Sequence, residues 1–389
     1  MELWTRMQEC MDEAVQKQEM TGVNLLIARG GEVLAELQSG LADRERGIPM
    51  ARDTIFRMYS MTKPITACAA MILMERGELD FYDWVENYIP SFHGQKVVTG
   101  AGMESACRGV SLRDLLTMSS GLAYPDADEA GQAVARVYEE AISRLDGEVE
   151  MSTLEFAEKI GRTPLSFQPG RAFRYGTSAD VLGAVVEVVS GKRLGDFLRD
   201  EIFKPLGMHD TAFYVPRGKQ HRRAMTYRRM PDGTLARDPS TNLAISDTLT
   251  RDPLFQSGGA GLCSTLPDYA RFAAMLLRGG ELDGVRILRP KTVEFFTRAR
   301  LDEGPQRSLE AGWPTLSGFS YGNLLRVCRD PGRNGSVCTP GEYGWDGWLG
   351  TCFSNHPAEG ITVLMGMQTC DSGNTNLNRR LHNLLFTSL

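Results

Sequence analysis

The tetrapeptide Ser60-Met61-Thr62-Lys63, followed by Pro64, constrains the fold of this chain more than any other segment. Proline is tolerated in the first turn of a helix, where its missing N–H would have no partner. The dense apolar residues between Ile65 and Glu78 predict a buried helix after it, so we expect the helix to begin near Ser60. Residues three apart share one helix face, so the Lys63 amine can reach the Ser60 hydroxyl.

This pairing suits a particular chemistry. A serine cannot attack a carbonyl without losing its proton, and a lysine one turn away can accept that proton. The predicted helix start also places the Ser60 hydroxyl near unpaired backbone N–H groups and the positive end of the helix dipole. An S-x-x-K match alone arises easily by chance, so the surrounding sequence has to support it.

Composition narrows the class of protein. The chain has 389 residues, 42% hydrophobic and 24% charged, as in ordinary globular proteins. A net charge of −6 argues against a nucleic-acid or anionic-membrane partner. The longest apolar run, Ile65–Met74, is far shorter than the roughly 20 residues of a membrane span, and no secretory signal opens the chain. The scattered cysteines predict a cytoplasmic protein with free thiols, although Cys328 and Cys338 could pair across a loop.

Apolar patterns place strands at both ends of the chain and helices in its middle. Two apolar runs, Val23–Ala28 and Glu32–Leu37, flank Arg29-Gly30-Gly31 and predict a hairpin. Further helices are predicted at residues 2–20, after Ser111, at 181–189, 265–277 and 376–389, and further strands at 344–354 and 361–368. Hairpins rather than βαβ units predict an α/β protein of the α+β type. Its antiparallel sheet is flanked by helices, and a mainly helical lobe is inserted.

Further motifs follow the tetrapeptide in a fixed order. They are Leu112–Leu122, Phe173–Gly183 with Tyr175, Gly258–Leu262, and Trp345-Asp346-Gly347. Together they resemble the serine β-lactamase and penicillin-binding-protein family, and within it the class C-like esterases (family VIII-type carboxylesterases). The resemblance covers most of the chain. It implies a β-lactamase/transpeptidase-like fold in one catalytic domain, residues 1–389. An α/β lobe would comprise 1–59 and about 205–389, and a mainly helical lobe about 60–204.

The resemblance assigns catalytic roles to Ser60, Lys63 and Tyr175. Tyr175 precedes a serine-capped helix, which suggests a loop aimed at a cleft, although a structural, hydrogen-bonded tyrosine is the alternative. A lysine ammonium beside Tyr175 would lower the pKa of its phenol, and burial would lower the pKa of the lysine. The two groups could then share the proton that leaves Ser60.

The third motif bears on the substrate. Where β-lactamases and peptidases of the family carry Lys or His, this chain has Trp345, which offers no cation for a substrate carboxylate. Strand alternation would aim Trp345 into the cleft and Asp346 and Trp348 away from it, unless Trp345 simply packs in the core. Gly347 would keep the strand flat against the substrate. The family's oxyanion hole corresponds to the backbone N–H groups of Ser60 and Trp348.

Two weaker features complete the predicted cleft. Tyr124 lies in the loop after the helix that Ser111 begins, and it is a candidate for the cleft wall or an ordinary surface tyrosine. Thr177 stands where the family's Tyr-x-Asn motif has an amide, so it lacks the N–H₂ donor that a β-lactam side chain would meet. Both Trp345 and Thr177 therefore favour the esterase branch.

A rival serine lies in Gly318-Phe319-Ser320-Tyr321-Gly322, which matches G-x-S-x-G, with His356 and His382 downstream. That motif needs a strand before the serine and a helix directly after it. Here Asn323–Val327 predicts a strand and Asp330-Pro331-Gly332 breaks the chain, so Ser320 is the weaker candidate. The histidines show no H-E-x-x-H arrangement, which argues against a zinc hydrolase.

The sequence thus predicts a serine hydrolase that cleaves small neutral carboxylic esters through an acyl-enzyme on Ser60. No metal or cofactor is implied, and the partner is a small-molecule ester. Two alternatives within the same chemistry are acyl transfer and D-amino-acid peptidase or β-lactamase activity. A third, of another class, is a non-catalytic scaffold that has kept the fold; the intact set of Ser60, Lys63 and Tyr175 argues against it.

Overall fold

The computed structural model describes residues 3–145, 147, 149–248, 250–373 and 375–389. The strands are β1 (Gly22–Arg29), β2 (Glu32–Asp43), β3 (Ile48–Pro49), β4 (Phe56–Arg57), β5 (Lys96–Thr99), β6 (Gly102–Ser105), β7 (Tyr227–Arg229), β8 (Leu235–Arg237), β9 (Cys263–Ser264), β10 (Glu281–Leu282), β11 (Val285–Arg286), β12 (Phe319–Gly322), β13 (Leu325–Cys328), β14 (Tyr343–Asp346), β15 (Cys352–His356) and β16 (Ile361–Gly366).

The helices are α1 (Leu3–Gln16), α2 (Thr62–Glu75), α3 (Leu112–Leu116), α4 (Glu129–Ser143), α5 (Thr153–Gly161), α6 (Ser178–Ser190), α7 (Leu194–Leu198), α8 (Lys204–Leu206), α9 (Leu266–Leu277), α10 (Pro290–Phe296), α11 (Glu303–Gly312) and α12 (Asn376–Phe386). A π-helical turn, Arg199–Phe203, connects α7 to α8.

The two ends of the chain build one antiparallel sheet. Its eight strands follow the order β12-β13-β14-β15-β16-β1-β2-β3. The central pair is β1 with β16, in which Asn24 lies opposite Gly366. Strands from both ends of the sequence therefore meet at the middle of the sheet, and the predicted antiparallel sheet with flanking helices is confirmed.

Alternation along β1 assigns its side chains to two cores. Val23 and Leu25 pack with α1 and α12 on one face of the sheet. Leu26 and Ala28 face the larger core on the opposite side, which includes residues of α2 and α9. Successive strand side chains point to opposite faces, so a strand covered by helices on both sides is apolar throughout.

Helix ends obey the local signals in the sequence. The Ser111 side chain accepts from the Asp114 N–H in a capping box at the start of α3. Thr265 caps α9 in the same way, through the Asp268 N–H. Gly191 ends α6 with a left-handed conformation, φ 68°, that favours glycine.

One strand prediction is corrected. The single strand predicted over residues 344–354 is two strands, β14 and β15, joined by a tight turn. The Gly347 N–H donates to the Thr351 carbonyl across that turn, and Gly350 takes a φ of 89° within it. The division into lobes near residues 60 and 204 stays a prediction.

The helices in the described part of the chain are too short or too polar to cross a membrane.

Candidate active site

Ser60 lies in a 3₁₀ turn, Tyr59–Met61, directly before α2. The helix itself begins at Thr62, two residues later than the predicted start near Ser60. Tyr59 has a φ of 43°, a left-handed conformation that costs a non-glycine residue about 1–2 kcal/mol. Packing holds it there, because the fully buried Tyr59 ring meets the Trp348 ring edge-on with centroids 5.0 Å apart. The sharp bend leaves the Ser60 side chain partly exposed.

Lys63 is fully buried and held by three oxygens. Its Nζ lies 2.8 Å from the Gly259 carbonyl oxygen, 3.0 Å from the Tyr124 hydroxyl and 3.1 Å from Ser60 Oγ. As a neutral amine, Lys63 can donate two protons to Gly259 and Tyr124. Its lone pair then faces the third neighbour, the Ser60 hydroxyl, whose proton it can accept.

The Gly258–Leu262 segment brings that carbonyl to Lys63. The Thr66 hydroxyl donates to the Gly258 carbonyl, 2.7 Å away, and the Leu262 N–H donates to the Thr62 hydroxyl. Both threonines belong to α2, so the helix itself positions the segment. A Cβ on Gly259 would lie 2.8 Å from the Asp180 carboxylate, so only glycine permits this close approach.

Burial and one carboxylate set the charge of Lys63. Removal from water lowers the pKa of Lys63 to about 7, while the negative charge of Asp180 acts in the opposite direction. Asp180 is itself buried on α6, which raises the pKa of its carboxyl group. Its Oδ1 accepts from the Ser257 hydroxyl and from the Gly259 N–H. Lys63 is therefore available as a neutral base near pH 7.

Tyr175 lies in the loop before α6, and its ring faces Lys63. Lys63 Nζ is 4.5 Å from the centre of the Tyr175 ring. The phenol oxygen accepts from the Trp345 indole N–H at 3.0 Å, and the Ser60 hydroxyl also acts to lower the pKa of Tyr175. Both contacts favour the phenolate, but burial outweighs them and raises the pKa of Tyr175. The prediction that a lysine charge would lower this pKa is wrong, because desolvation dominates.

Trp345 is almost completely buried in an aromatic cluster. Its ring packs against Tyr175, Trp313 and Tyr321, with centroid distances of 5.5, 5.9 and 4.9 Å. The structure therefore combines the two alternatives for Trp345: the ring packs in the core, and its N–H reaches the catalytic candidate Tyr175. Asp346, at the end of β14, instead pairs with Arg326 at 2.8 Å.

Gly347 was predicted to lie within a flat strand, but it lies in the turn after β14. A Cβ there would come within 2.2 Å of Thr351 Oγ1 and 2.4 Å of the Met58 carbonyl oxygen. This turn therefore passes directly beside the segment that leads to Ser60. The Trp348 side chain packs on Tyr59 and donates to Asp371 at 2.7 Å.

Tyr124 contacts both Lys63 and Tyr175, so it is not the ordinary surface tyrosine that the sequence left open as an alternative. Besides accepting from Lys63, its ring lies edge-on to Tyr175 with centroids 5.7 Å apart. Gly176 permits the approach of the two loops, because a Cβ there would lie 2.1 Å from the Leu122 carbonyl oxygen. Burial raises the pKa of Tyr124, so its phenol stays neutral.

Thr177 and Ser320, which the sequence suggests for the substrate cleft and as a rival nucleophile, are both buried. Thr177 is fully buried, and its hydroxyl has no hydrogen-bond partner among the described residues, so it does not line a substrate cleft. Ser320 is fully buried in the middle of the β12–β13 hairpin, opposite Val327. The helix that a G-x-S-x-G nucleophile requires is replaced by a strand.

Sequence reasoning missed two residues of this site. Asp180 lies in the first turn of α6, where an acid is common because of the helix dipole, so no sequence signal indicates its second role beside Lys63. Trp313 packs against the Tyr175 ring at a tilt of 56°, with centroids 5.1 Å apart, and it follows α11 with no local sequence signal.

The fold and this arrangement of serine, lysine and tyrosine define a protein of the β-lactamase and transpeptidase class. The profile of the Beta-lactamase family matches residues 7–385, and the chain belongs to this family.

Similar proteins include Esterase EstB of Burkholderia gladioli. It is 31% identical over 384 residues, which cover 95% of this chain and 92% of that protein. Protein Rv1367c of Mycobacterium tuberculosis is 32% identical over 359 residues, covering 90% and 86%. The solved structure of EstCE1, "a hydrolase with promiscuous acyltransferase activity", has a TM-score of 0.81 at 25% identity and covers 99% of this chain and 98% of that chain.

The Asp180→Asn substitution tests the electrostatic control of Lys63. Asp180 favours the charged lysine, so removing its negative charge should lower the pKa of Lys63 below about 7. Activity that needs the neutral amine rises with pH through this pKa. The acidic limb of the kcat/KM–pH profile should therefore move to lower pH. Asp268→Asn is the matched control, a buried carboxyl on α9. Equal displacement in both variants would contradict the assignment.

The Trp345→Phe substitution separates the effect of the indole hydrogen bond to Tyr175 from the effect of aromatic packing. The substitution keeps an aromatic side chain but removes the donor to Tyr175, which favours the phenolate. A hydrogen bond to a charged group contributes about 1.5–3 kcal/mol, so kcat for ester hydrolysis should fall about tenfold or more. Trp313→Phe is the control, because Trp313 packs on the same ring without donating to Tyr175. A similar loss in both variants would assign the effect to packing.

Proposed function

We propose that this protein is a serine hydrolase that cleaves small neutral carboxylic esters through an acyl-enzyme on Ser60. One observation carries the proposal: the fully buried Lys63 amine lies 3.1 Å from Ser60 Oγ, with its two other neighbours already accepting hydrogen bonds. The similarity to Esterase EstB over nearly the whole chain supports the choice of esters. A non-catalytic scaffold has no chemical need for this arrangement.

In the acylation step, neutral Lys63 accepts the Ser60 proton as Oγ attacks the ester carbonyl. The depressed pKa of Lys63, about 7, suits a base that works near neutral pH. The resulting ammonium is stabilised at once, because three oxygens and the nearby Asp180 carboxylate surround it. The attack creates a tetrahedral intermediate with a negative oxygen.

Tyr175 serves the leaving group. Burial keeps its phenol protonated, and Lys63 lies between Tyr175 and Ser60, 4.5 Å from the Tyr175 ring and 3.1 Å from Ser60 Oγ, so the phenol can donate a proton to the departing alcohol. The Trp345 N–H then stabilises the transient phenolate, which recovers its proton from Lys63. Water attacks the acyl-enzyme by the same route in reverse, and Ser60 is released.

The backbone N–H groups of Ser60 and Trp348 are proposed as the oxyanion hole. The close passage of Gly347 by the Met58 carbonyl supports this pairing, because it holds the two chain segments together next to Ser60. Each such donor typically contributes about 3–4 kcal/mol to the transition state. Trp345, Tyr124 and Trp313 supply an aromatic setting that suits a neutral substrate.

Acyl transfer is the second candidate within this chemistry. It differs only in the acceptor, because an alcohol or amine replaces water at the acyl-enzyme. The similarity to EstCE1, a hydrolase with promiscuous acyltransferase activity, supports this second candidate. The predicted cytoplasmic location and the absence of a nucleic-acid or membrane partner remain predictions.

Ser60→Ala should abolish hydrolysis of p-nitrophenyl butyrate, and Ser320→Ala should leave the rate nearly unchanged. Labelling with a fluorophosphonate probe, followed by peptide mapping, identifies the nucleophile directly and should modify Ser60. Each variant removes one serine hydroxyl and leaves the other in place, so each variant is the control for the other. Loss of labelling in Ser320→Ala alone would move the active site to the β12–β13 hairpin.

Short acyl esters should be hydrolysed at least about tenfold faster than nitrocefin, compared as kcat/KM. Trp345 offers no cation to a β-lactam carboxylate, and an unpaired polar group in a buried site costs about 1–3 kcal/mol. The uncharged p-nitrophenyl butyrate carries no such penalty. Equal or faster turnover of nitrocefin would exclude the ester preference while leaving Ser60 as the nucleophile.

A further inference from the structure

Two histidines and a glutamate meet at the end of β14 and β15 that lies away from Ser60. Glu342 directly precedes β14, His356 ends β15, and His382 lies on α12. The turn beside Met58 is at the other end of these strands, four or five residues away, which corresponds to about 15 Å. This cluster, Glu342/His356/His382, is therefore separate from the catalytic candidates.

The donor atoms of the cluster lack partners. Glu342 Oε2, His356 Nδ1 and both ring nitrogens of His382 are buried without a hydrogen bond among the described residues. Each of the three residues is at most 9% exposed. A buried polar atom without a partner costs about 1–3 kcal/mol, and native structures contain few of them. Four such atoms in one place indicate that something else binds to them.

The geometry fits a metal ion. One ligand atom from each residue lies within 4.8 Å of the others. Glu342 Oε2 is 3.9 Å from His356 Nδ1 and 3.8 Å from His382 Nε2. Zinc bonds of about 2.0–2.2 Å in a tetrahedron place neighbouring ligands about 3.3–3.5 Å apart. The two distances from Glu342 need to shorten by only a few tenths of an ångström, and the distance between the two imidazole nitrogens by at most about 1.5 Å.

Neighbouring groups orient the ligands and leave access for an ion. The Ser354 hydroxyl lies 2.9 Å from His356 Nε2, so it can fix the tautomer that leaves Nδ1 free to bind. The Phe386 ring packs on both imidazoles, with centroids 4.2 and 4.4 Å away. A cavity of about 260 Å³ opens beside Glu342 and His382, which provides an entry path and a position for a fourth, water ligand.

The local charge also permits a dication. Three of the described arginines line the adjacent cavity: Arg326 pairs with Asp346 at 2.8 Å, Arg333 pairs with Glu310 at 3.0 Å, and Arg379 donates to Asn376. Glu342 adds a carboxyl group whose ionised form a bound dication would favour. Nitrogen ligands from imidazole combined with one carboxylate favour zinc and neighbouring transition metals over Mg²⁺ and Ca²⁺, which prefer oxygen ligands.

We propose that Glu342, His356 and His382 bind a divalent transition-metal ion, Zn²⁺ in the first instance, and that this ion fastens α12 to the end of β14 and β15. Its role is structural, because the ion crosslinks the last helix of the chain to the sheet. Metal that binds only the folded state raises stability with its concentration.

The test uses the full chain without an affinity tag, in a Cys328→Ser/Cys338→Ser background. Those two thiols lie 3.6 Å apart and could bind zinc by themselves. After treatment with a chelator and dialysis, ZnCl₂ is titrated by calorimetry and the Tm is recorded with and without the ion. We expect one Zn²⁺ per chain, a Tm that rises with zinc, and p-nitrophenyl butyrate hydrolysis that survives removal of the metal.

The variants Glu342→Gln and His382→Gln keep the size of each side chain. Each should weaken zinc binding by at least about tenfold and abolish the rise in Tm. His93→Gln is the matched control, since His93 pairs with Glu86 at 3.0 Å on the surface. It should bind zinc like the parent.

Three results would overturn the proposal. The first is that the parent protein binds no zinc. The second is that the Glu342→Gln and His382→Gln variants bind zinc as tightly as the parent. The third is that zinc binds without any rise in Tm. Loss of ester hydrolysis on removal of the metal from a still folded protein would overturn the structural role.

Discussion

The burial of one amine, Lys63, organises the active-site half of this protein. A lysine side chain taken out of water is costly unless its polar atoms find partners, and here the Gly259 carbonyl, the Tyr124 hydroxyl and the Ser60 hydroxyl are those partners. The same burial lowers the pKa of Lys63 to about 7. The structural requirement and the chemical one are therefore met by the same contacts.

The surrounding segments follow from that requirement. Two threonines of α2 hold the Gly258–Leu262 segment against the helix. Glycines at 176 and 259 let backbone approach where a side chain would collide. Asp180 binds the Gly259 N–H and so connects the orientation of that segment to the charge of Lys63. A substitution at any of these positions would therefore alter the surroundings of the Lys63 amine through a single intervening contact.

In the proposed mechanism, the phenol and the amine divide the proton transfers because burial acts on them in opposite directions. Desolvation disfavours the charged form of each group, so it lowers the pKa of Lys63 and raises that of Tyr175. The resting pair is a neutral base beside a neutral acid. Trp345, from the sheet, supplies the donor that makes a transient phenolate tolerable. Strand β14 thus contributes to the active site at Trp345, and it follows directly on Glu342 of the proposed metal site.

How far the sequence predicts this protein depends on whether the signal is local. The start of a helix after Ser60, the pairing of Ser60 with Lys63, the capping at Ser111 and the stop at Gly191 are properties of neighbouring residues, so the pattern of residues determined them. The order of the motifs determined the family.

Tertiary structure decided the rest. The Gly259 carbonyl and Asp180 reach Lys63 across long stretches of chain, and the turn at Gly347 splits what reads as one strand. Thr177, next to Tyr175 in sequence, turns into the core. The sign of the Tyr175 pKa shift depends on how much water the fold excludes, and His356 meets His382 only because β15 and α12 pack together. Such contacts join residues far apart in sequence, and only the folded chain brings them within bonding distance.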